Sequence, residues 1–333
     1  MKVSVIVPVR DEEHSIRELL DSLLHQTRPP DQIVITDGGS VDATPQIIEE
    51  YIQKGAPVRL LRAGPALPGR GRNLGAAAAD YEWLAFTDAG IRLNHDWLEM
   101  LVARAAQDSS IDIVYGSWEP VTDTFFKECA AIAYVPPPAP RDGIVMRPRF
   151  IASTLLRRAA WAKVNGFPED LRSAEDLVFM DRLEEAGYKA VFEPRAQVHW
   201  NLRPTLGTTF KRFLVYSRNN IRAGLWRQWQ ATILFRYAVL LILFVLALIV
   251  DPWLVLVPVV AWLVMLAARA FVSIRRNRAC YPASLFHNLL RGGLIMSLLA
   301  ALDAAAIIGS AQWLLFDSFR WSRKTTVEAG NGA

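Results

Sequence analysis

The chain has 333 residues, 52% of them apolar, with 37 basic against 33 acidic side chains and a formal charge of +4. That balance is too mild for a dedicated nucleic-acid binder. The two cysteines, Cys129 and Cys280, are far apart, which excludes a disulfide scaffold or a cysteine metal centre and implies free thiols in a reducing compartment.

Val3–Val7 is a short β-branched run and predicts a buried strand. The charged residues from Arg10 to Glu13 follow it closely, so it is too short for a signal-peptide core, and the N-terminal domain is expected in the cytoplasm. Ile16, Leu19, Leu20, Leu23 and Leu24 recur at helical spacing behind a candidate N-cap, Ser15, and Pro29-Pro30 ends that helix. Gln32–Thr36 predicts a second strand, Thr44-Pro45 the start of a second helix, and Val58–Arg62 a third strand. Gly64–Arg72 reads as a Gly-, Pro- and Arg-rich loop leading into a helix at Asn73–Ala79. Trp83–Phe86 is a fourth strand, Asp96–Gln107 a helix with Trp97, Met100, Leu101 and Ala105 on one face, and Ile111–Tyr115 a fifth strand. Alternation of this kind predicts an α/β domain with a doubly wound, mostly parallel sheet.

The pattern breaks from Glu119 to Arg149, where Pro136-Pro137-Pro138 and Pro140 argue for a long irregular insert, a functional loop that would gate an acceptor or a disordered one. Helical patterns return at Arg158–Val164 and Glu175–Ala186, with a short strand at Lys189–Phe192. Residues 201–236 contain no acid but seven arginines and lysines interleaved with Trp226 and Trp229. The apolar runs that follow, about 233–250 and 252–268 around Asp251-Pro252, are each near the roughly 17–20 residues that span a bilayer. We read a transmembrane hairpin preceded by a basic juxtamembrane helix. Arg269, Arg275, Arg276 and Arg278 return the chain to the cytoplasmic side. A third apolar segment, about 292–316, is broken only by Asp303. The basic tail residues Arg320, Arg323 and Lys324 conflict with a third crossing, so a crossing and an interfacial or re-entrant segment both stand. The expected division is a cytoplasmic domain over 1–220 and a membrane region over 221–333.

Acids recur at strand ends and helix starts: Glu12, Asp37, Asp88 in Thr87-Asp88-Ala89-Gly90, and the pair Glu175-Asp176. In a doubly wound sheet the first three converge on the carboxyl rim, where ligands bind. Such acids accept hydrogen bonds from a base or a ribose, and Asp88 can also ligate a hard cation. Gly69-Arg70-Gly71-Arg72-Asn73 at a helix start is a natural anion site. Singly, each is equally a turn or a favourably placed helix-end charge. Their order together describes a nucleotide-diphosphate pocket.

With V-S-V-I-V-P-V-R-D-E-E, I-T-D-G-G-S-V-D-A-T, G-R-N-L-G, F-T-D-A-G and A-E-D-L-V-F, the chain resembles the family 2 glycosyltransferases of the A-type fold over roughly residues 1–220. The resemblance implies that Pro8, Arg10 and Glu12 hold the nucleotide base together with Asp37, and that Arg72 and Asn73 lie under ribose and diphosphate. It implies that Asp88 is the first acid of an Asp-x-Asp motif holding the donor and a divalent metal, Mg or Mn, and that Asp176 beside Glu175 is the catalytic base of an inverting transfer. Gly90 replaces the second acid of that motif. His199 is a candidate to complete a metal site, and equally a strand-end histidine packed on Trp200. No Gln-x-x-Arg-Trp occurs, which argues for transfer of a single sugar. The expected partners are a nucleotide-diphosphate sugar, a lipid or lipid-linked acceptor and the membrane, with no nucleic acid. The alternative is a membrane-bound relative that binds sugar nucleotides as a scaffold and has lost turnover.

Overall fold

The computed structural model describes residues 1–141 and 143–317, so Arg320, Arg323 and Lys324 lie outside the described residues. In chain order the elements are β1 (Val3–Val9), α1 (Ile16–Leu24), β2 (Gln32–Asp37), α2 (Thr44–Gln53), β3 (Val58–Arg62), α3 (Pro68–Ala78), β4 (Trp83–Phe86), β5 (Ile91–Leu93), α4 (Trp97–Ala106) and β6 (Ile113–Val121). There follow α5 (Phe125–Tyr134), β7 (Ala139–Arg141), β8 (Ile144–Met146), β9 (Thr154–Arg157), α6 (Arg158–Lys163), α7 (Glu175–Glu185) and β10 (Ala190–Asn201). The chain continues with α8 (Leu206–Arg222), α9 (Trp226–Trp229), α10 (Ala231–Val250), α11 (Leu256–Arg276) and α12 (Leu285–Gln312). It divides into two compact units, Met1–Val121 with Pro138–Asn201, and Thr122–Pro137 with the chain from Leu202 on.

The first unit is built on an eight-stranded sheet of order β3-β2-β1-β4-β9-β6-β10-β5. β1 to β4, β6 and β10 run parallel, while β9 lies antiparallel between β4 and β6, and β5 is antiparallel to β10. This is the mostly parallel sheet that the alternation predicts. The two antiparallel strands were not anticipated, because each is only three or four residues long and becomes a strand only against its neighbours. β1 and β2 are buried almost throughout, as strands covered on both faces must be.

Several boundaries differ from the sequence reading. Ser15 stands at the N-cap of α1 but makes no capping bond; its hydroxyl instead donates to the Glu12 carboxylate. α3 begins at Pro68 rather than Asn73, with proline in its first turn, so Gly69, Gly71 and Arg72 are helical. α4 buries Leu98 with Trp97, Leu101 and Ala105, and Met100 is only half-buried. β6 runs on to Val121 because Ser117–Val121 pairs with Gln197–Asn201 of β10 beyond a bulge. The stretch from Glu119 to Arg149 is not irregular. It holds α5, capped by the Thr124 hydroxyl, and the small β7–β8 hairpin.

The second unit is helical. Three segments, Ala231–Val250, Pro252–Arg276 and Leu285–Asp317, are long and apolar enough to cross a membrane by length and composition. Asp303 is buried within it, ion-paired with Arg269 and 3.1 Å from the Tyr237 hydroxyl, to which the Trp262 indole donates at 2.9 Å.

Candidate active site

The register of the sheet places the predicted acids on one edge. Val9 of β1 pairs with Asp37 of β2, and Ile6 with Phe86, the last residue of β4 before Thr87 and Asp88. Asp37 is buried and accepts hydrogen bonds from the Ser40 amide at 2.9 Å and hydroxyl at 2.6 Å. The Glu12 amide donates to the Thr44 hydroxyl at 2.8 Å. Arg10 is exposed, 3.6 Å from Asp11, and Pro8 packs beside Gly71 of α3. These residues line the β1–β2 side of the rim.

At the β4 end stands an ionic cluster. The Arg72 guanidinium, 4% exposed, donates to Asp88 Oδ1 at 2.7 Å and to Glu175 Oε1 at 2.6 Å. Asp176, half-buried, accepts from its neighbour's amide, Leu177 N, at 2.9 Å. One cation thus faces three carboxyls. Burial and the adjacent Glu175 carboxylate push the Asp176 pKa up to about 7, against the pull of Arg72. The carboxylates around Arg72 outweigh its desolvation and hold it firmly protonated. Glu175 Oε2, Ser173 Oγ and Thr87 Oγ1 are buried with no hydrogen-bond partner in the protein. Buried polar atoms are ordinarily paired, and unpaired ones gathered beside a rim fit a site for a polar ligand.

The cluster is assembled by aromatic packing that the sequence reading passed over. Phe167 stacks on Phe179 of α7 at 3.9 Å and meets Phe86 edge-on at 5.4 Å. The Arg72 guanidinium lies 5.5 Å from the Phe167 ring centre. These rings lock the start of α7 to the end of β4, which brings Glu175 and Asp176 to Asp88. The signal in the sequence is Gly166-Phe167-Pro168, which stands between the two helical patterns Arg158–Val164 and Glu175–Ala186. A Cβ on Gly69 would come within 2.1 Å of the Pro168 carbonyl oxygen, so only glycine lets α3 dock on this segment. The Pro168 segment therefore packs on Gly69 in the first turn of α3, and Arg72 meets the acids through its side chain. Asn73 holds the same segment: its amide donates to Phe167 O and Glu169, and its oxygen accepts from Phe167 N and Trp161 Nε1. Ala174, just before Glu175, has φ +69°, a left-handed conformation that a non-glycine residue adopts under constraint.

Among the described residues no group of three or more His, Cys, Asp or Glu side chains is placed to hold a metal. Gly90 has φ +78° and open space where its side chain would be. His199 lies inside β10 and opposite Arg92 of β5, its Nε2 3.0 Å from Asn94 Oδ1; burial and Arg92 hold its pKa below the usual value. What the donor set offers a divalent ion is the half-exposed Asp88 carboxylate, one oxygen of which already pairs with Arg72. A single carboxylate suits Mg²⁺ or Mn²⁺ only when substrate phosphates supply further ligands.

Residues 4–141 match the family described as Glycosyl transferase family 2, and residues 146–274 match Glycosyl transferase family group 2. The chain is 32% identical over 191 residues to the poly(ribitol-phosphate) beta-N-acetylglucosaminyltransferase TarS of Staphylococcus aureus, a stretch covering 54% of this chain and 32% of TarS. It is 26% identical over 224 residues to the pre-mycofactocin glycosyltransferase of Mycobacterium tuberculosis, covering 64% of this chain and 46% of that one. The chain thus spans about a third to half the length of these curated relatives. Among solved structures, the mannosyltransferase PcManGT of Pyrobaculum calidifontis, in complex with GDP-Man and Mn²⁺, superposes with a TM-score of 0.58 at 18% identity, covering 95% of this chain and 88% of that one. That likeness concerns the fold, which is of the A type.

Proposed function

From the premise that the chain belongs to glycosyltransferase family 2, we propose that it transfers a single sugar, with inversion, from a nucleotide-diphosphate sugar to a lipid or lipid-linked acceptor at the cytoplasmic membrane face. The observation that carries this reading is the Arg72–Asp88–Glu175 cluster with Asp176 beside it. A carboxyl with a pKa near 7 is matched to general-base work at neutral pH. Asp176 takes the proton of the acceptor hydroxyl as its oxygen bonds to the anomeric carbon. The bond from that carbon to the diphosphate oxygen breaks on the opposite face. Glu175 and Asp88 orient Arg72, whose charge stabilises the departing diphosphate. Asp37, Glu12, Arg10 and Pro8 receive the nucleotide, and Asn73 positions the 166–169 segment beneath it. A divalent ion held by Asp88 supplies further positive charge to the diphosphate when bound.

The membrane assignment, with the catalytic domain cytoplasmic, rests on the second unit. α10 has 20 residues, about 30 Å of helix, which matches a hydrocarbon core. Its side chains are largely exposed, as are those of α11. Exposed Trp226 and Trp229 precede it and exposed Trp253 follows it, in the positions of interfacial belts. Arg222, Arg227, Arg275, Arg276 and Arg278 stand where the hairpin begins and ends, the arrangement of a cytoplasmic face. An enzyme held this way works on acceptors presented at the bilayer surface.

The test is donor hydrolysis and transfer by detergent-purified protein, across uridine and guanosine diphosphate sugars, with total membrane lipid as acceptor and with or without Mg²⁺ or Mn²⁺. Turnover of one donor that disappears in Asp176→Asn is the expected result. A donor that binds saturably and never turns over would replace this reading with the scaffold alternative, for which Gly90 is the motive.

A further inference from the structure

The second unit contains a third long apolar helix, α12, whose composition suits a further crossing. Its contacts describe something else. Near its start, Arg291 is buried, donates to the Tyr281 carbonyl at 3.0 Å and pairs with Glu128 of α5. Tyr281 follows the end of α11 by five residues, and Asn277, one residue past that end, reaches the carbonyl of Ile132 in the same α5. Near its other end, a Cβ on Gly309 would come within 2.8 Å of the Ser217 side chain of α8. The Ser217 carbonyl accepts from Gln230, the residue just before α10, at 3.1 Å. Beyond Gly309, Asp317 pairs with Arg218 of α8 at 2.5 and 2.8 Å.

Arg291 and Gly309 are 18 positions apart, about 27 Å along a helix. A crossing helix would carry one of them to the hairpin tip at Asp251 and Trp253. Instead one lies beside the end of α11 and the other beside the start of α10, and a hairpin has both at the same face. The middle of α12 agrees. Asp303 meets Tyr237, six residues into α10, and Arg269, seven residues before the end of α11. Both place Asp303 about 10 Å below the root of the hairpin. That is the depth at which interfacial helices lie, and one where an arginine reaches headgroups.

We propose that α12 lies in the plane of the membrane along the face at which the hairpin begins and ends, so that the described chain crosses the bilayer twice. The lipid surface is the partner of its open side. Leu285, Phe286, Leu289, Leu290 and Ile308 are exposed there. α8 covers another side and presents exposed Lys211 and Arg212, suited to anionic headgroups. The inference rests on the membrane reading above. It also removes the conflict between a third crossing and the positive-inside rule.

The experiment uses the full chain in sealed inside-out vesicles, with a protease-removable epitope tag appended after Ala333. The exposed native Cys280 reports the root of the hairpin to an impermeant maleimide, and Trp253→Cys in a Cys280→Ser background reports the tip. The expected result is labelling of Cys280, protection of the Trp253→Cys site until detergent is added, and loss of the tag to protease. A protected tag with Cys280 labelled overturns the in-plane helix and leaves the hairpin standing. A Trp253→Cys site labelled in intact vesicles overturns the membrane reading, and this inference with it.

Discussion

Two arginine–carboxylate clusters, one in each unit, are built on opposite principles. In the sheet unit, Arg72 serves Asp88 and Glu175 while Asp176 lies close by, so three carboxyls share one cation. In the helical unit, Arg269 serves Asp303 alone, and Tyr237 and Trp262 complete the hydrogen bonding. The balanced cluster leaves no charge over. The unbalanced one keeps buried oxygen atoms unpaired and pushes one acid up to about 7. Excess buried charge with unspent hydrogen-bonding capacity costs stability and is a mark of chemistry, whereas a neutral, satisfied pair is a mark of architecture.

The sharpest way to break this comparison is Asp176→Asn. Loss of a general base lowers kcat by about 100- to 10,000-fold, read in the transfer assay. The wild-type rate is expected to fall as pH drops through the neighbourhood of 7, where Asp176 takes up its proton, and that limb should vanish in the variant. Stability moves the other way. An acid whose folded pKa is raised binds its proton more tightly when folded, so the wild type loses stability as pH rises from the usual carboxylate range toward 7. Asp176→Asn removes that loss, and melting curves should show the variant gaining on wild type between pH 4 and pH 7. No gain would mean that Asp176 is not held against ionisation.

Arg72→Met comes next. Stranding Asp88, Glu175 and Asp176 without their cation should cost about 3–5 kcal/mol, measured by denaturant unfolding, and the cost should shrink below pH 7. In the balanced cluster, Asp303→Asn removes the partner of Arg269, which at that depth still reaches headgroups, and should cost about 1–3 kcal/mol, seen as reduced thermal stability in detergent. Asp303→Asn combined with Arg269→Met should recover most of it, because the pair is architectural. An equivalent rescue by Arg72→Met with Glu175→Gln is not expected, since two acids remain. The smallest effect is at Gly90. Gly90→Asp meets no neighbour, and the left-handed backbone costs about 1–2 kcal/mol. Its expected signature is stronger Mn²⁺ dependence of nucleotide binding by calorimetry, and unchanged metal dependence would mean that Asp88 alone already holds the ion.

Much of the sheet was legible because its evidence is local. Val3–Val7, Gln32–Thr36, Val58–Arg62 and Trp83–Phe86 are apolar runs between turn residues, and each became a strand within two residues of the expected ends. β9 was not legible. Thr154–Arg157 is a strand because it pairs antiparallel with both β4 and β6, partners distant in sequence that only the fold brings beside it. α5 was hidden by the prolines that follow it, which forbid a helix where they stand and say nothing of the ten residues before. In the site, the strand-end acids could be named from sequence, but the mechanical roles of Phe167 and Asn73 could not. Phe167 stands between two helical patterns where no period places it, and the bonds of the Asn73 amide to the 161–169 segment have no local signal.

Taken alone, the sequence determined what each stretch can do: which runs can be strands, which acids stand at their ends, and which helices are apolar enough for a bilayer. Those properties follow from the side chains of a few neighbours and their period. Only the tertiary structure decided which charges meet. Arg72 reaches Glu175 across 103 positions of chain, and Asp303 reaches Arg269 and Tyr237 from a different helix. An acid's ionisation depends on how deeply it is buried and which charges lie within a few ångströms, and neither quantity exists until the chain has packed.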